Sequence, residues 1–196
     1  ASTKELTGHI WFDNDILVVW TTNELFVVGS TNNELLQTIT VHCAANEEIT
    51  HLKRLTRCLV LTTTLGRCLM YLRTEERFVL YQDCNLPQPI SPIALEINSN
   101  EDFVVVRMPD LSFVVSKVDD ISEERINGQY KPALSFELND NFIGELTREV
   151  EHMLDQTMIL FTQAKHNSIG VWNIETYKCV IRKHFTAKYK EDNANI

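Results

Sequence analysis

The chain has little of the material from which most catalytic and phosphate-binding sites are built. It contains 6 glycines among 196 residues, which leaves little material for glycine-rich phosphate-binding loops. It also has no Walker loop, no dinucleotide fingerprint, no G-x-S-x-G turn and no H-E-x-x-H motif. We therefore expect a protein that is not an enzyme, with no catalytic residues and no cofactor.

The cysteines do not form the pattern of a disulfide framework. Their number is odd, 5, and no two are spaced as C-x-x-C. The sequence also lacks an N-x-S/T sequon, a stretch resembling a signal peptide, and an apolar run of the roughly 18 residues that a membrane span requires. We expect reduced thiols, no membrane partner and an intracellular location, in the cytoplasm or the nucleus. The cysteines are Cys43, Cys58, Cys68, Cys84 and Cys179.

A metal site is also not expected. The nearest approach to a ligand cluster is His42 and Cys43 together with His51 and Cys58. Adjacent residues of a strand point to opposite faces, so His42 and Cys43 cannot both bind one ion in an unbroken strand.

Positive charge is scarce as well. The chain has 18 Lys and Arg against 27 Asp and Glu, a formal net charge of −9. Nucleic-acid affinity comes mainly from clustered basic residues, so direct nucleic-acid binding is not expected. An alternative stays open, a noncatalytic subunit that assists a nucleic-acid-processing enzyme through Lys53, Arg54, Arg57 and the tail from Lys188 to Lys190.

What the chain does have is a series of short apolar runs with period two, separated by polar turn residues. Such runs predict β-strands, and pairs of them predict hairpins. The first strands of the predicted hairpins are Ile16 to Trp20, Cys58 to Thr63, Phe103 to Val106 and Met158 to Phe161.

The hairpins recur at a regular spacing. The equivalent positions Val28, Tyr71, Val114 and Trp172 lie 43, 43 and 58 residues apart. The longer last step contains an acidic, turn-rich insertion from Asp119 to Gly128. Four strands in about 43 residues is the size of a propeller blade.

The period predicts one propeller-like domain over residues 1–196. Its blades are expected at about 9–42, 49–84, 90–140 and 142–185, followed by a tail at 186–196. The segment 144–158 fits either a blade strand or a short amphipathic helix, because Leu146, Val150 and Met153 also form a helical stripe.

The last unit carries a family resemblance. The run from Leu160 to Val180, with Val171-Trp172-Asn173 where the pattern has V-W-D, resembles the second half of a WD40 repeat. The resemblance implies an all-β, WD40-like β-propeller portion of about four blades, either an incomplete ring or part of a larger propeller. It also implies a structural tetrad-like role for Thr162, His166 and Trp172.

The function implied by the resemblance is that of a noncatalytic protein–protein interaction scaffold, a subunit of a multiprotein complex. Its partners would be one or more proteins, including a chain that completes the propeller. A propeller-type enzyme with an unrecognised channel site is the second alternative. The residues predicted to bind a partner are Asp119, Asp120, Glu123, Glu124 and Trp20.

Overall fold

The computed structural model describes residues 5–98, 100–109, 113–138, 150–153, 158–163, 168–173 and 178–184. These residues form 18 β-strands and no helix, so this part of the chain contains no helix that could cross a membrane. The prediction of an all-β fold is confirmed.

The strands form four antiparallel sheets of four strands each. The first sheet contains β1 (Gly8–Trp11), β2 (Ile16–Trp20), β3 (Glu24–Gly29) and β4 (Glu34–Thr40). The second contains β5 (Ile49–Arg54), β6 (Cys58–Thr63), β7 (Arg67–Arg73) and β8 (Phe78–Asn85). The third begins with β9 (Ala94–Ile97), β10 (Phe103–Arg107) and β11 (Phe113–Lys117). A separate hairpin of β12 (Arg125–Ile126) and β13 (Gln129–Tyr130) comes before its last strand, β14 (Glu137–Leu138). The fourth contains β15 (Val150–Met153), β16 (Met158–Gln163), β17 (Ser168–Asn173) and β18 (Lys178–His184).

Within each sheet, strands that follow one another in the chain pair with one another, apart from the excursion between β11 and β14. Strand β15 lies in the segment where the sequence fits either a strand or a helix, and residues 150–153 are extended there. Residues 144–149 and 154–157 of that segment are outside the described residues.

The second sheet is buried on both faces. Every residue of β6 is buried, and its alternate side chains enter two different cores. Leu59 and Leu61 join the core shared with the first sheet, whereas Cys58 and Val60 join the core shared with the third. Burying each such aliphatic side chain contributes about 1.5–3 kcal/mol. The first three sheets are therefore stacked face to face in chain order.

The first three sheets contact one another through their first strands, so the stack opens outward like a fan. The first strands of consecutive sheets, β1, β5 and β9, are neighbours. Arg54 at the end of β5 donates a hydrogen bond of 2.8 Å to the carbonyl oxygen of Phe12, which follows β1. Lys53 and Glu96 form an ion pair of 3.2 Å between β5 and β9. The strands nearest one another thus belong to the inner edge of each sheet, as blades around an axis require.

A β-bulge recurs at one place in the repeat. In the first, second and fourth sheets, the pairing of the last two strands is interrupted between Val27 and Val28, between Met70 and Tyr71, and between Val171 and Trp172. The second residue of each of these pairs is a position that the spacing alone marks as equivalent. Bulges increase the local twist of a strand pair, so the same bend is built into three sheets.

A glutamine joins the outer strand of each of the first two sheets to the following repeat. Gln37 in β4 donates to the carbonyl oxygen of Phe78 at 2.9 Å and accepts from its amide at 2.8 Å. Gln82 in β8 donates to the carbonyl oxygen of Leu134 at 2.6 Å and accepts from the amides of Ala133 and Leu134, both at 2.9 Å. In the described residues, strands of different sheets do not pair with one another, so these glutamine side chains supply hydrogen bonds between one repeat and the next.

The glutamine contacts explain why β14 is short. Between Ala133 and Leu138, only Glu137 and Leu138 pair with β11. The amides of Ala133 and Leu134 are taken by Gln82 instead, and the amide of Ser135 donates to Ser116 Oγ at 2.8 Å. The backbone amides of residues 133–135 therefore have hydrogen-bond partners although these residues do not form a strand.

Replacing Gln82 by leucine should destabilise the chain by about 1–3 kcal/mol, because it leaves a carbonyl and two amides without the partner they now have. Denaturant unfolding measures this difference. The exposed Gln129 is the matched control, and Gln129→Ala should change the free energy of unfolding by less than about 0.5 kcal/mol. Equal effects of the two substitutions would contradict a role for Gln82 in joining the sheets.

Candidate interaction site

The insertion that interrupts the repeat folds as a small hairpin on the outside of the second sheet. Strands β12 and β13 pair directly, with Arg125 opposite Tyr130. Asn127 and Gly128 form the turn between them, with φ of 53° and 82°. Two consecutive positive φ values are those of a type I′ turn, for which Asn-Gly is the favoured pair. The local sequence therefore closes the hairpin by itself.

Tyr81 of β8 attaches this insertion to the second sheet. Its hydroxyl donates a hydrogen bond of 2.8 Å to the carbonyl oxygen of Lys131 and accepts one of 3.2 Å from the amide of Ser122. Its ring stacks on Tyr130, with centroids 4.7 Å apart and an angle of 18° between the planes. The Tyr81 side chain thus contacts the segments before and after the hairpin as well as strand β13.

Arg125 completes a layer of stacked side chains. Its guanidinium carbon lies 4.4 Å from the centroid of the Tyr130 ring, and Nη2 donates a hydrogen bond of 2.8 Å to the Tyr130 hydroxyl. A guanidinium over a tyrosine ring gains about 0.5–1 kcal/mol at an exposed site. Tyr130 and Arg125 thus form an aromatic and cationic pair at the protein surface, stacked on the ring of Tyr81, which is itself buried in the core.

The hairpin leaves a hollow on each side. The first, which we name the hairpin cavity, has a volume of about 510 Å³ and includes Tyr81, Asp83, Cys84, Arg125, Tyr130 and Pro132 in its wall. The second, which we name the acidic hollow, has a volume of about 440 Å³ and includes Glu75, Glu76, Arg77, Glu123, Arg125 and Tyr130. Each is large enough for several side chains of a partner.

The four predicted acidic residues of the insertion are all exposed. Glu123 forms an ion pair of 2.7 Å with Arg57, so part of its charge is used within the chain. The carboxylates of Asp119, Asp120 and Glu124 form no ion pair with any residue that the structure describes. The predicted residues therefore present negative charge at the hairpin, to which Glu75 and Glu76 add and which Arg77 and Arg125 partly offset.

Trp20 lies elsewhere, in β2. It is half-buried and packs against the core between the first and second sheets. Its ring covers Gly8, where a Cβ atom would come within 2.5 Å of the indole. Its indole nitrogen is buried and has no hydrogen-bond partner in the described part of the chain. A partner-binding role for Trp20 stays a prediction.

The tetrad-like residues also stay a prediction. Thr162 lies in β16 opposite Ile169, and Trp172 lies in β17 opposite Ile159. His166 falls outside the described residues, as does the tail at 186–196.

The basic residues considered for nucleic-acid binding are engaged within the fold. Lys53 pairs with Glu96, Arg54 binds the carbonyl oxygen of Phe12, and Arg57 pairs with Glu123. A phosphate backbone would have to compete with each of these contacts. This arrangement favours a structural role for all three side chains.

A charged group centred on Arg67 joins the connection between β4 and β5 to the second sheet. Arg67 pairs with Glu47 at 3.0 Å and with Asp83 at 2.5 Å, and Glu47 also accepts hydrogen bonds from Thr63 Oγ1 and the amide of Ala44. Burial by itself would raise the pKa of Glu47, but these hydrogen bonds and Arg67 outweigh it and lower that pKa. The group fixes the connection after β4. Nowhere in the described residues do three or more His, Cys, Asp or Glu side chains form a metal-binding group.

The sequence analysis missed Tyr81, Tyr130, Arg125 and Gln82. The Asn127-Gly128 pair is a hairpin signal that could have revealed β12 and β13. No local signal joins Tyr81 to Tyr130, because the two lie on different repeats.

Replacing Tyr81 by phenylalanine should loosen the insertion while leaving the sheets folded. The hydroxyl is lost with its two hydrogen bonds, at a cost of about 1 kcal/mol, and the Ser122 amide should exchange its hydrogen several-fold faster. Amide hydrogen exchange of residues 119–132 measures this. Tyr71→Phe is the control, since Tyr71 is buried and makes no hydrogen bond through its hydroxyl in the described structure. Unchanged exchange at Ser122 would contradict the role of Tyr81.

No known protein-family profile matches the sequence, and no curated protein matches it. Solved structures do match. The β-propeller domain of Cps50 (Swd1) from Myceliophteria thermophila is 11% identical with a TM-score of 0.67, over 92% of this chain and 60% of that one. The WD40 domain of SCAP from fission yeast is 11% identical with a TM-score of 0.64, over 92% of this chain and 45% of that one. A chain of the mitotic checkpoint complex is 9% identical with a TM-score of 0.58, over 92% of this chain and 51% of that one.

The chain thus spans between 45% and 60% of the length of these structures. The four meandering sheets, the inner edge that the first three share and these similarities lead to one conclusion. The chain has the WD40 β-propeller fold, as its last repeat predicts.

Proposed function

We propose that the chain is a noncatalytic protein–protein interaction platform within a multiprotein complex, and that the insertion hairpin is its docking element for a basic partner. The observation that carries this proposal is the exposed hairpin, attached by Tyr81 and flanked by two hollows. Aromatic and arginine side chains in such settings are the residue types that dominate interface energetics.

The charge of the insertion supports a basic partner. Asp119, Asp120 and Glu124 are exposed, and the acidic hollow adds Glu75 and Glu76. Complementary charge mainly increases the association rate and selects among partners, while the aromatic anchors supply affinity. We expect Lys and Arg side chains of the partner to lie at the acidic hollow, beside an apolar or aromatic group in the hairpin cavity.

Two of the similar structures support the general class. One is a complex of the fission yeast SREBP and SCAP binding domains, and another is the mitotic checkpoint complex. In both, the chain of similar fold is part of a protein assembly. We propose an intracellular location for this chain, since four of its cysteines are free thiols in the structure.

We also propose that a further blade, from a longer form of this chain or from a partner, covers the outer face of the first sheet. By register, that face carries apolar side chains from all four strands, and none belongs to a core of the described residues. Trp11 and Leu35 are 52% and 55% exposed. The chains of similar structure are longer, and additional sheets are what their extra length would supply. The apolar residues of this face are Trp11, Leu17, Val19, Phe26, Val28 and Leu35.

Reversing the charge of the insertion tests the docking proposal. Asp120→Lys combined with Glu124→Lys should lower partner recovery at least about tenfold, equivalent to about 1.4 kcal/mol of binding free energy. The measurement is quantitative co-purification of the tagged protein with stoichiometric partners from native extract. Glu48→Lys, an exposed carboxylate at another loop, should leave recovery unchanged. Recovery that is the same for all three proteins would show that the hairpin is not the docking element.

Hydroxyl-radical labelling tests the proposed covering blade. Trp11 should be labelled strongly in the isolated 196-residue chain and several-fold less in the protein purified with its natural partners. Leu65, which is 43% exposed in the turn after β6, should be labelled equally in both samples. Equal labelling of Trp11 would mean that nothing covers the outer face.

A further inference from the structure

The second sheet brings together two cysteines that are 16 residues apart in the chain. Cys68 in β7 and Cys84 in β8 are direct cross-strand partners. Side chains of direct partners in an antiparallel pair lie on the same face. Both belong to the core between the second and third sheets, Cys68 as a buried member and Cys84 packed against it. Two thiols therefore lie side by side.

The strand pairing gives them a separation suited to a disulfide. Leu86 donates a backbone hydrogen bond of 2.7 Å to Gly66, the pair two positions along the same two strands. Hydrogen-bonded pairs recur at every second position, so Cys68 and Cys84 are also such a pair, with Cα atoms about 5.5 Å apart. Disulfides join Cα atoms roughly 4.4–6.8 Å apart. The spacing expected for this pair lies within that range.

The two thiols differ in access and in acidity. Cys68 is 1% exposed, whereas Cys84 is half-buried and lines the hairpin cavity. Cys84 Sγ donates a hydrogen bond of 3.4 Å to the backbone carbonyl oxygen of Cys68. The neighbouring Cys84 thiol raises the pKa of Cys68, as burial also does, and the Cys68 thiol lowers the pKa of Cys84 in spite of its burial. Thiolate therefore forms first on the cysteine that a reagent in the cavity can reach, and thiolate is the nucleophile in disulfide exchange.

We propose that Cys68 and Cys84 form a reversible disulfide, and that Cys84 reacts first with a small disulfide oxidant that enters the hairpin cavity. With oxidised glutathione, the Cys84 thiolate attacks one sulfur, forms a mixed disulfide and releases one glutathione thiolate. Cys68 then attacks the Cys84 sulfur and releases the second glutathione, to which the Cys68 proton passes. Two protein thiols are oxidised, and one glutathione disulfide is reduced to two thiols.

Cys58 provides a matched control. It is a buried cysteine of the same core, but its cross-strand partner in β7 is Leu72, so no thiol lies opposite it. It should remain a free thiol under conditions that join the other two. A general tendency of the core cysteines to oxidise would affect Cys58 as well.

The test is oxidation of the full chain with oxidised glutathione, followed by alkylation, tryptic digestion without reduction, and mass spectrometry. Cleavage after Arg67, Arg73 and Arg77 separates Cys68 from Cys84, so a disulfide appears as a peptide of residues 68–73 linked to residues 78–107. We expect this linked peptide in the wild-type chain and in Cys58→Ser, with its loss after treatment with reduced dithiothreitol. We expect Cys68→Ser to accumulate a glutathione adduct on Cys84, and Cys84→Ser to give neither adduct nor link.

Circular dichroism confirms that each variant is folded, and the wild-type result decides the proposal even where a variant is not. A wild-type chain that keeps both thiols alkylatable, stops at the glutathione adduct, or links Cys58 or Cys43 instead would overturn it. An adduct that forms on Cys68 first would overturn the proposed order of reaction.

Discussion

A sheet that is apolar on both faces must have a neighbour on each side, and the rest of this structure depends on that constraint. The alternation of side chains in β6 sends Leu59 and Leu61 to one face and Cys58 and Val60 to the other. Neither face can meet water without exposing several buried aliphatic groups, each worth about 1.5–3 kcal/mol. The second sheet is thus fixed between the first and the third, and the stacking direction of the whole fan follows from it. The same rule supports the proposal that a further blade covers the outer face of the first sheet.

Face-to-face packing alone would allow the sheets to slide, because apolar contact is not directional. Polar contacts at both edges remove that freedom. At the inner edge, Arg54 binds the Phe12 carbonyl and Lys53 pairs with Glu96. At the outer edge, Gln37 binds the backbone of β8, and Gln82 binds the backbone of the segment just before β14. The hydrophobic cores supply most of the stabilisation, and these few directional bonds set the position of one blade relative to the next.

The parts of the fold that could be predicted from the sequence are those that depend on neighbours along the chain. Period-two runs predict the strands. The spacing of Val28, Tyr71 and Trp172 predicts the repeat, and the structure confirms that these positions are equivalent because the strand pairing shifts register directly before each of them. The glutamine contacts and the stack of Tyr81 on Tyr130 join residues of different repeats. A single sequence does not record which distant side chains meet, since many pairings are compatible with the same local pattern. The Cys68 and Cys84 pair was missed for a narrower reason: the strand register on β8 decides which residue lies opposite Cys68.

The candidate site lies where the sequence departs from its period, and there is a physical reason for that position. Lengthening a loop adds little entropic cost, about 0.6 kcal/mol for each doubling, so an insertion between β11 and β14 is tolerated once the repeat has closed around it. A free loop of this length would be mobile and would lose entropy on binding. The Asn127-Gly128 turn and the Tyr81 contacts remove most of that loss in advance. Because Tyr81 belongs to β8, the second repeat orients the insertion of the third, and the packing of these two repeats sets the geometry of the proposed docking surface. Cys84 lies three residues further along β8, and it lines the hairpin cavity. Strand β8 therefore positions both the insertion and the thiol that we propose to react first.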